Sequence, residues 1–336
     1  MADFNLLDIQ PHQVSRDLRG YAVFFYGEPK SGKTTTATKF PKHLIAAFEK
    51  GYNTIPGAMA QPINSWGEFR KFLRQLKDPK VKERFETIII DTADIAYDYC
   101  EKYICSNNNV DTIGDIAYGK GYKLAAKEFD EALRMILQLN YGLVIISHAV
   151  DKTFKDQNGQ EYNQIVPTLD SKPRNIVSRM ADIIGYSRCI DLPDGGNEVR
   201  LFMRGTPRFI AGSRFKHTPD SIVFSYQNLV DAICDAIDKQ ASEEGAQYFT
   251  EERNNLYIDM TSIELDFDKL MTDFNDILTH IVNAVDEEVF VTSWQPRITQ
   301  IIEKYLGRGV KVSQCSRDQV EALDLIITEL RDIMPS

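Results

Sequence analysis

No apolar run in this 336-residue chain approaches the roughly 18 residues needed to cross a bilayer, so no membrane span is expected. The start, MADFNLLDIQPHQ, has neither a basic n-region nor an apolar core, and no secretory signal is expected. Cysteine is sparse: Cys100, Cys105, Cys189, Cys234 and Cys315 are scattered, odd in number and at no zinc spacing. That excludes a disulfide framework or a zinc ribbon and predicts reduced thiols in a cytoplasmic setting, such as that of a bacterial host. Internal repeats and low-complexity tracts are absent too, which excludes solenoids and disordered arrays. Overall positive charge is also missing. The net charge of −10 argues against indiscriminate coating of nucleic acid.

The deficit of positive charge is uneven. Residues 218–336 hold 23 Asp/Glu against 9 Lys/Arg, a net of −14, whereas residues 1–217 hold 26 against 30, a net of +4. Within residues 199–217, Arg200, Arg204, Arg208, Arg214 and Lys216 occur with no acid among them. Such a strip suits either a phosphate-bearing partner or a solvated strand face.

With 43% hydrophobic residues the chain can bury a sizeable core, and its length predicts two domains. Apolar strand candidates at 21–26, 44–49, 87–92, 143–147, 183–190 and 198–204 alternate with helical patterns at 66–76, 93–104 and 122–139. Alternation of this kind predicts crossover units and a mostly parallel sheet covered on both faces. Pro193-Asp194-Gly195-Gly196 predicts a hairpin and an antiparallel edge. After a closing helix at 226–239, Ala241-Ser242-Glu243-Glu244-Gly245 reads as a linker. Helical stripes at 267–285, 295–306 and 317–333 then predict a separate all-helical C-terminal domain, with Ser316 and Gln319 as a capping box. The expected domains are residues 1–240 and 246–336.

The densest chemistry lies in Gly27-Glu28-Pro29-Lys30-Ser31-Gly32-Lys33-Thr34, followed by Thr35. This satisfies G-x-x-x-x-G-K-[ST] between an apolar strand and a helix that Pro41 ends. Main-chain N–H groups at a helix N-terminus point at a polyphosphate, and the glycines let the chain curl around it. Lys33 is expected at the β- and γ-phosphates and Thr34 on Mg²⁺, so the expected cofactors are ATP and Mg²⁺. Strand 87–92 ends in Asp91, which would hold the same metal ion from across the sheet. Strand 44–49 ends in Glu49, placed by parallel topology on the ligand-binding rim and read as the catalytic carboxylate. Ser147 and His148 end the fourth strand at that rim, where both are read as sensors of the γ-phosphate.

The order GEPKSGKTT, LIAAFEKG, TIIIDTAD, YGKGY, VIISHA and AGSRFKH resembles the phage RecA-like ATPases of the Sak recombinase type, over roughly residues 18–240. The resemblance implies a RecA-like P-loop NTPase core acting in recombination, single-strand annealing or replication. It supports Glu49 as the water-activating carboxylate and His148 at the sensor position. It also implies a homo-oligomer with ATP at subunit interfaces, completed by two cations from the neighbour. Arg214 and Lys216, alternate residues of an extended segment, are the candidates, with Arg208 as substitute. DNA would be held by the segments after the Walker B and sensor strands, residues 106–120 and 151–163. Tyr118 and Lys120 in the first, and Lys152 and Lys155 in the second, suit a single strand of DNA, diluted by Asp151, Asp156 and Glu161. A single-strand-binding protein or replication factor is a further expected partner. The helical tail has no counterpart in the resemblance.

Two other classes remain open at this point. A nucleotide or small-molecule kinase would use the arginine strip for acceptor phosphates but has no use for a hydrolytic glutamate. An ATP-gated loader or switch for a helicase or single-strand-binding protein would show negligible turnover.

Overall fold

The computed structural model describes Leu7 and residues 10–155, 157–253 and 266–334. By contact the chain divides into two compact units, Met1–Met260 and Thr261–Ser336. The first unit runs from β1 (Val14–Ser15) into β2 (Ala22–Gly27), α1 (Lys33–Ala37), β3 (His43–Ala47) and β4 (Ala60–Pro62). Helices α2 (Trp66–Gln75) and α3 (Pro79–Arg84) precede β5 (Thr87–Asp91). Helices α4 (Ala93–Asn107) and α5 (Lys120–Gln138) precede β6 (Gly142–Lys155). Strand β7 (Glu161–Pro167) turns back on β6, and α6 (Ser171–Met180) leads to β8 (Ile183–Asp191). Then come β9 (Asn197–Phe202), β10 (Gly212–Ser213), β11 (Ser221–Val223), α7 (Tyr226–Glu244) and β12 (Phe249–Thr250).

The sheet order is β4-β3-β5-β6-β2-β8-β9-β11. From β4 to β8 all neighbours are parallel, and β9 and β11 add the antiparallel edge. Parallel strands buried on both faces need apolar residues at every position. Phe24, Tyr26, Ile88, Ile90, Leu143 and Ile145 therefore face one way, beneath α2, α4, α5 and α6. Val23, Phe25, Ile45, Ile89, Val144 and Ile146 face the other, beneath α7. This is an α/β P-loop fold with a mostly parallel sheet, and its strand carboxyl ends share one rim.

Two expectations are corrected in this unit. Residues 151–163 are not a plain loop. β6 continues to Lys155 and pairs antiparallel with β7, with Phe154 opposite Tyr162 and Thr153 opposite Asn163. Cross-strand pairing of aromatic and β-branched residues stabilises this ladder, and a single segment does not reveal it. Residues 241–245 are not a linker either. α7 runs unbroken to Glu244 and ends at Gly245, where φ is 109°, because Ala241-Ser242-Glu243-Glu244 holds no helix breaker. Phe249–Thr250 then pairs with Val14–Ser15, and Phe249 is buried with the α7 face of the sheet. The first unit thus extends past residue 240. Residues 254–265, part of the expected second domain, lie outside the described residues.

The second unit holds α8 (Phe267–Ala284), α9 (Glu287–Val289), α10 (Gln295–Leu306) and α11 (Val320–Ile333). Asp266 caps α8 by accepting from the N–H groups of Asp268 and Lys269, and the Ser316–Gln319 box forms ahead of α11. Leu270, Phe274, Ile277, Ile281, Ile298 and Leu323 belong to a core of its own. No described helix in either unit is long and apolar enough to cross a membrane.

Candidate nucleotide-binding site

Strand β2 delivers the phosphate loop to the rim at Gly27, whose neighbour in β8 is Ser187. A Cβ at residue 27 would lie 2.1 Å from the Ser187 carbonyl oxygen, so the close approach of the two strands requires glycine. Gly32 sits in the left-handed region at φ 79° and caps α1, a conformation glycine adopts without steric cost. The Lys33 ammonium folds back over the loop. It donates to the carbonyls of Gly27 (3.0 Å) and Glu28 (2.7 Å). Burial pushes its pKa down to about 8, against the pull of Asp91, Glu49 and Asp94. Ser31 Oγ lies 2.7 Å from Ser187 Oγ and donates to the Glu28 carbonyl. Glu28, Pro29, Lys30 and Thr35 are exposed.

Across the sheet, Thr34 Oγ1 donates to Asp91 Oδ2 at 2.9 Å. Asp91 is buried, and its Oδ1 has no hydrogen-bond partner among the described residues. Burial pushes the Asp91 carboxyl up to about 6, and the nearby Glu49 adds to the rise. A Cβ placed on Gly51 would meet Asp91 Oδ2, Glu49 Oε1 and Thr34 Oγ1, each at 3.5 Å. One hydroxyl and two carboxylates converging on one point, one of them with an orphaned oxygen, form a donor set that fits a hard cation such as Mg²⁺.

Glu49 lies two residues past the end of β3, and its N–H donates to the Asp91 carbonyl at 3.2 Å. Its Oε2 lies 3.5 Å from His148 Nε2. The contact holds the Glu49 carboxyl below its usual range and raises the imidazole above its own. Ser147 departs from expectation. Successive side chains of a strand point to opposite faces, so Ser147 turns away from His148 and donates to Asp94 Oδ1 at 2.9 Å. Thr168 Oγ1 donates to the same oxygen at 2.5 Å. Asp94 thereby ties the start of α4 to the sensor strand and to the residue after β7. Sequence reasoning passed over Asp94 and Thr168, although Asp94 lies within the run Asp91-Thr92-Ala93-Asp94.

The expected trans cations are engaged within their own chain. Arg214 donates to Asp182 Oδ1 (3.0 Å) and to the Arg179 carbonyl (2.7 Å). Asp182 in turn accepts from the Ala22 N–H, which places Arg214 at the amino end of β2, away from the rim. Lys216 pairs with Glu243 (3.0 Å) and Glu244 (3.4 Å). Arg200 bonds to Glu198 and Ser221, and Arg204 to the Thr218 carbonyl. Arg208 is exposed, and among the described residues its side chain has no partner.

Of the residues expected at nucleic acid, Tyr118 is 95% exposed and left-handed at φ 58°. Lys120 opens α5 two residues later, also exposed. Lys152 shares a face of the hairpin with Phe154 and Tyr162, whose rings stack at 5.8 Å. Lys155 lies on the opposite face, 3.4 Å from Glu161.

Comparison with known proteins agrees with this geometry. The AAA domain family (AAA_24) matches residues 19–215. The chain is 31% identical over 339 residues to the SPbeta prophage-derived uncharacterized protein YorG of Bacillus subtilis (strain 168), covering 98% of each. Among solved structures, the flagellar accessory protein FlaH of Methanocaldococcus jannaschii aligns over 62% of this chain and 85% of its own. Its TM-score is 0.33 and its identity 10%, too distant to carry a conclusion. The matched residues span the phosphate loop, the Thr34–Asp91 pair and β6, and the chain belongs to the AAA domain family of P-loop ATPases.

Proposed function

We propose that this chain binds and hydrolyses ATP with Mg²⁺ and acts on single-stranded DNA as a RecA-like ATPase of the Sak type. Its setting would be phage recombination, single-strand annealing or replication. The observation that carries the reading is the convergence of Thr34, Asp91 and Glu49 oxygens beside Lys33. Magnesium at Thr34 and Asp91 would supply positive charge to the β- and γ-phosphate oxygens. Lys33 would exchange its carbonyl partners for phosphate oxygens, and the main-chain N–H groups of the loop would orient the chain of phosphates. Glu49 is the one carboxylate of the three oxygen donors not paired to Thr34, so it is the residue for orienting and deprotonating the attacking water.

The DNA assignment draws on the hairpin face bearing Lys152, Phe154 and Tyr162, and on exposed Tyr118 with Lys120. Bases stack on such rings, and cations follow the backbone. Arg208, exposed in the middle of a basic strip whose other members are paired, replaces Arg214 and Lys216 as the cation offered to a neighbouring subunit. The prophage origin in the relative's name suits the phage setting.

A second reading, an ATP-gated switch for a replication partner, draws on the Glu49–His148 contact, which engages the carboxylate that would otherwise activate water. The deciding experiment is the ATP turnover rate with and without single-stranded DNA. A DNA-stimulated rate that Glu49→Gln abolishes supports hydrolysis on DNA. Negligible turnover under both conditions, unchanged in Glu49→Gln, favours the switch. γ-Phosphate found only on an added acceptor would favour a kinase.

A further inference from the structure

Helix α2 buries Phe69, Phe72 and Leu73 against the sheet's helical layer and leaves Arg70 and Arg74 outside. Lys77 follows one turn on. Offsets of four and three residues put these cations on one face of the helix. Opposite them, α5 presents Glu128 and Glu131. Between the two walls runs a groove of about 460 Å³, with Leu73, Ala132, Met135 and Tyr103 in its lining. Its volume lies in the range of ligand-binding clefts.

The two walls differ in how their charges are engaged. Arg70 bonds to the Tyr103 hydroxyl and stands 3.6 Å from Glu128, and Glu128 accepts from the Trp66 indole N–H at 2.8 Å. Arg74 and Lys77 are exposed, and their side chains have no partner among the described residues. Glu131 has only an exposed pairing with Lys127 at 3.5 Å, a contact that contributes little.

We propose that this groove docks an amphipathic peptide segment of a partner protein, apolar side chains on its floor and carboxylates along the edge facing Arg74 and Lys77. A floor on which Tyr103 and Met135 stay partly open beside buried Leu73 and Ala132, between walls of opposite sign, selects a ligand with one acidic and one non-acidic edge. A nucleic-acid strand does not meet that description, because every phosphate it brings near Glu131 is repelled. The groove is separate from the phosphate loop, so the proposal stands or falls independently of ATP hydrolysis.

The test is selection of a displayed random-peptide library on the full chain, with the Arg74→Glu/Lys77→Glu variant as counter-target. Both positions are exposed, and unchanged ATP binding by the variant verifies its fold. The expected result is recovery of peptides combining acidic and apolar residues. In fluorescence anisotropy these should bind the double variant roughly tenfold more weakly than the native chain, and Lys33→Ala as tightly as the native chain. Recovery of no peptide that distinguishes the two proteins overturns the proposal. So does loss of oligo-dT binding in the double variant with no peptide recovered, which would assign the groove to nucleic acid.

Discussion

In the proposed site, Lys33 is the residue on which nucleotide affinity should turn. It is buried beside carbonyl oxygens that carry only partial charge, with its pKa pushed down to about 8. Phosphate oxygens would be far stronger partners. Each charge-assisted hydrogen bond contributes about 1.5–3 kcal/mol, so Lys33→Ala should weaken ATP binding by roughly two orders of magnitude or more, read by titration with a fluorescent ATP analogue. Near-native affinity in that variant would remove the loop assignment. The Glu49–His148 pair gives a pH dependence whose sign can be worked out. Glu49 is held below its ordinary 4.5 and His148 above its ordinary 6.5. The attraction is complete from about 4.5 to 6.5, fades in acid as Glu49 protonates and fades in base as His148 loses its proton. Turnover should therefore climb as pH rises past 6.5 and the imidazolium releases Glu49. In His148→Asn, which has no imidazolium to shed, the limb set by the raised imidazole should be lost and activity should persist to lower pH. The kcat/KM profile of the two proteins checks this, and superimposable acid limbs would exclude His148 from any control of Glu49.

At the scale of elements, the β6–β7 hairpin is, in the proposed function, the part that would carry a signal from the rim to a DNA strand. It grows out of the strand holding His148, and its base is tied through Thr168 to Asp94. Phe154→Ala should weaken single-stranded DNA binding by about 1–3 kcal/mol while leaving the DNA-free ATPase rate alone. Lys152→Ala should reduce the slope of log affinity against log salt by about 1. Anisotropy with labelled oligo-dT at several salt concentrations measures both, and a slope unmoved by Lys152→Ala would take that side chain off the backbone path. This hairpin marks where reading the chain alone runs short. Buried parallel strands are legible because residues such as Ile88, Ile89 and Ile90 are apolar without interruption, and the phosphate loop is legible because its chemistry is local. A two-sided, partly solvated ladder mixes Lys152, Phe154 and Tyr162 with Gly159, and it becomes visible only once the two strands face each other. The same holds for the arginines. Asp182 lies 32 residues before Arg214, and Glu243 lies 27 after Lys216, so nothing nearby in the chain betrays that these cations are already paired.

At the scale of the whole molecule, the question is whether one subunit can finish its own site. Among the described residues, no arginine contact to the phosphate loop is seen beyond Arg188, 3.9 Å from Glu28 in an exposed pair. The basic strip is spent on Asp182, Glu243, Glu198 and Thr218, apart from Arg208. If Arg208 reaches a neighbour's ATP, then Arg208→Ala and Glu49→Gln are each defective alone but complement each other. A site on an Arg208→Ala subunit keeps its Glu49, and an adjoining Glu49→Gln subunit supplies the arginine. In an equal mixture of freely exchanging subunits, about a quarter of head-to-tail interfaces would be complete, and turnover should recover to about that share of the native rate. Lys33→Ala in place of Glu49→Gln should also rescue, since its Arg208 is intact. A double Arg208→Ala/Glu49→Gln chain mixed with either single variant should not. An additive, unrescued rate in the first mixture would mean that ATP is not shared across an interface by way of Arg208. The positive charge opposite the γ-phosphate would then have to come from Lys33 and the metal ion alone.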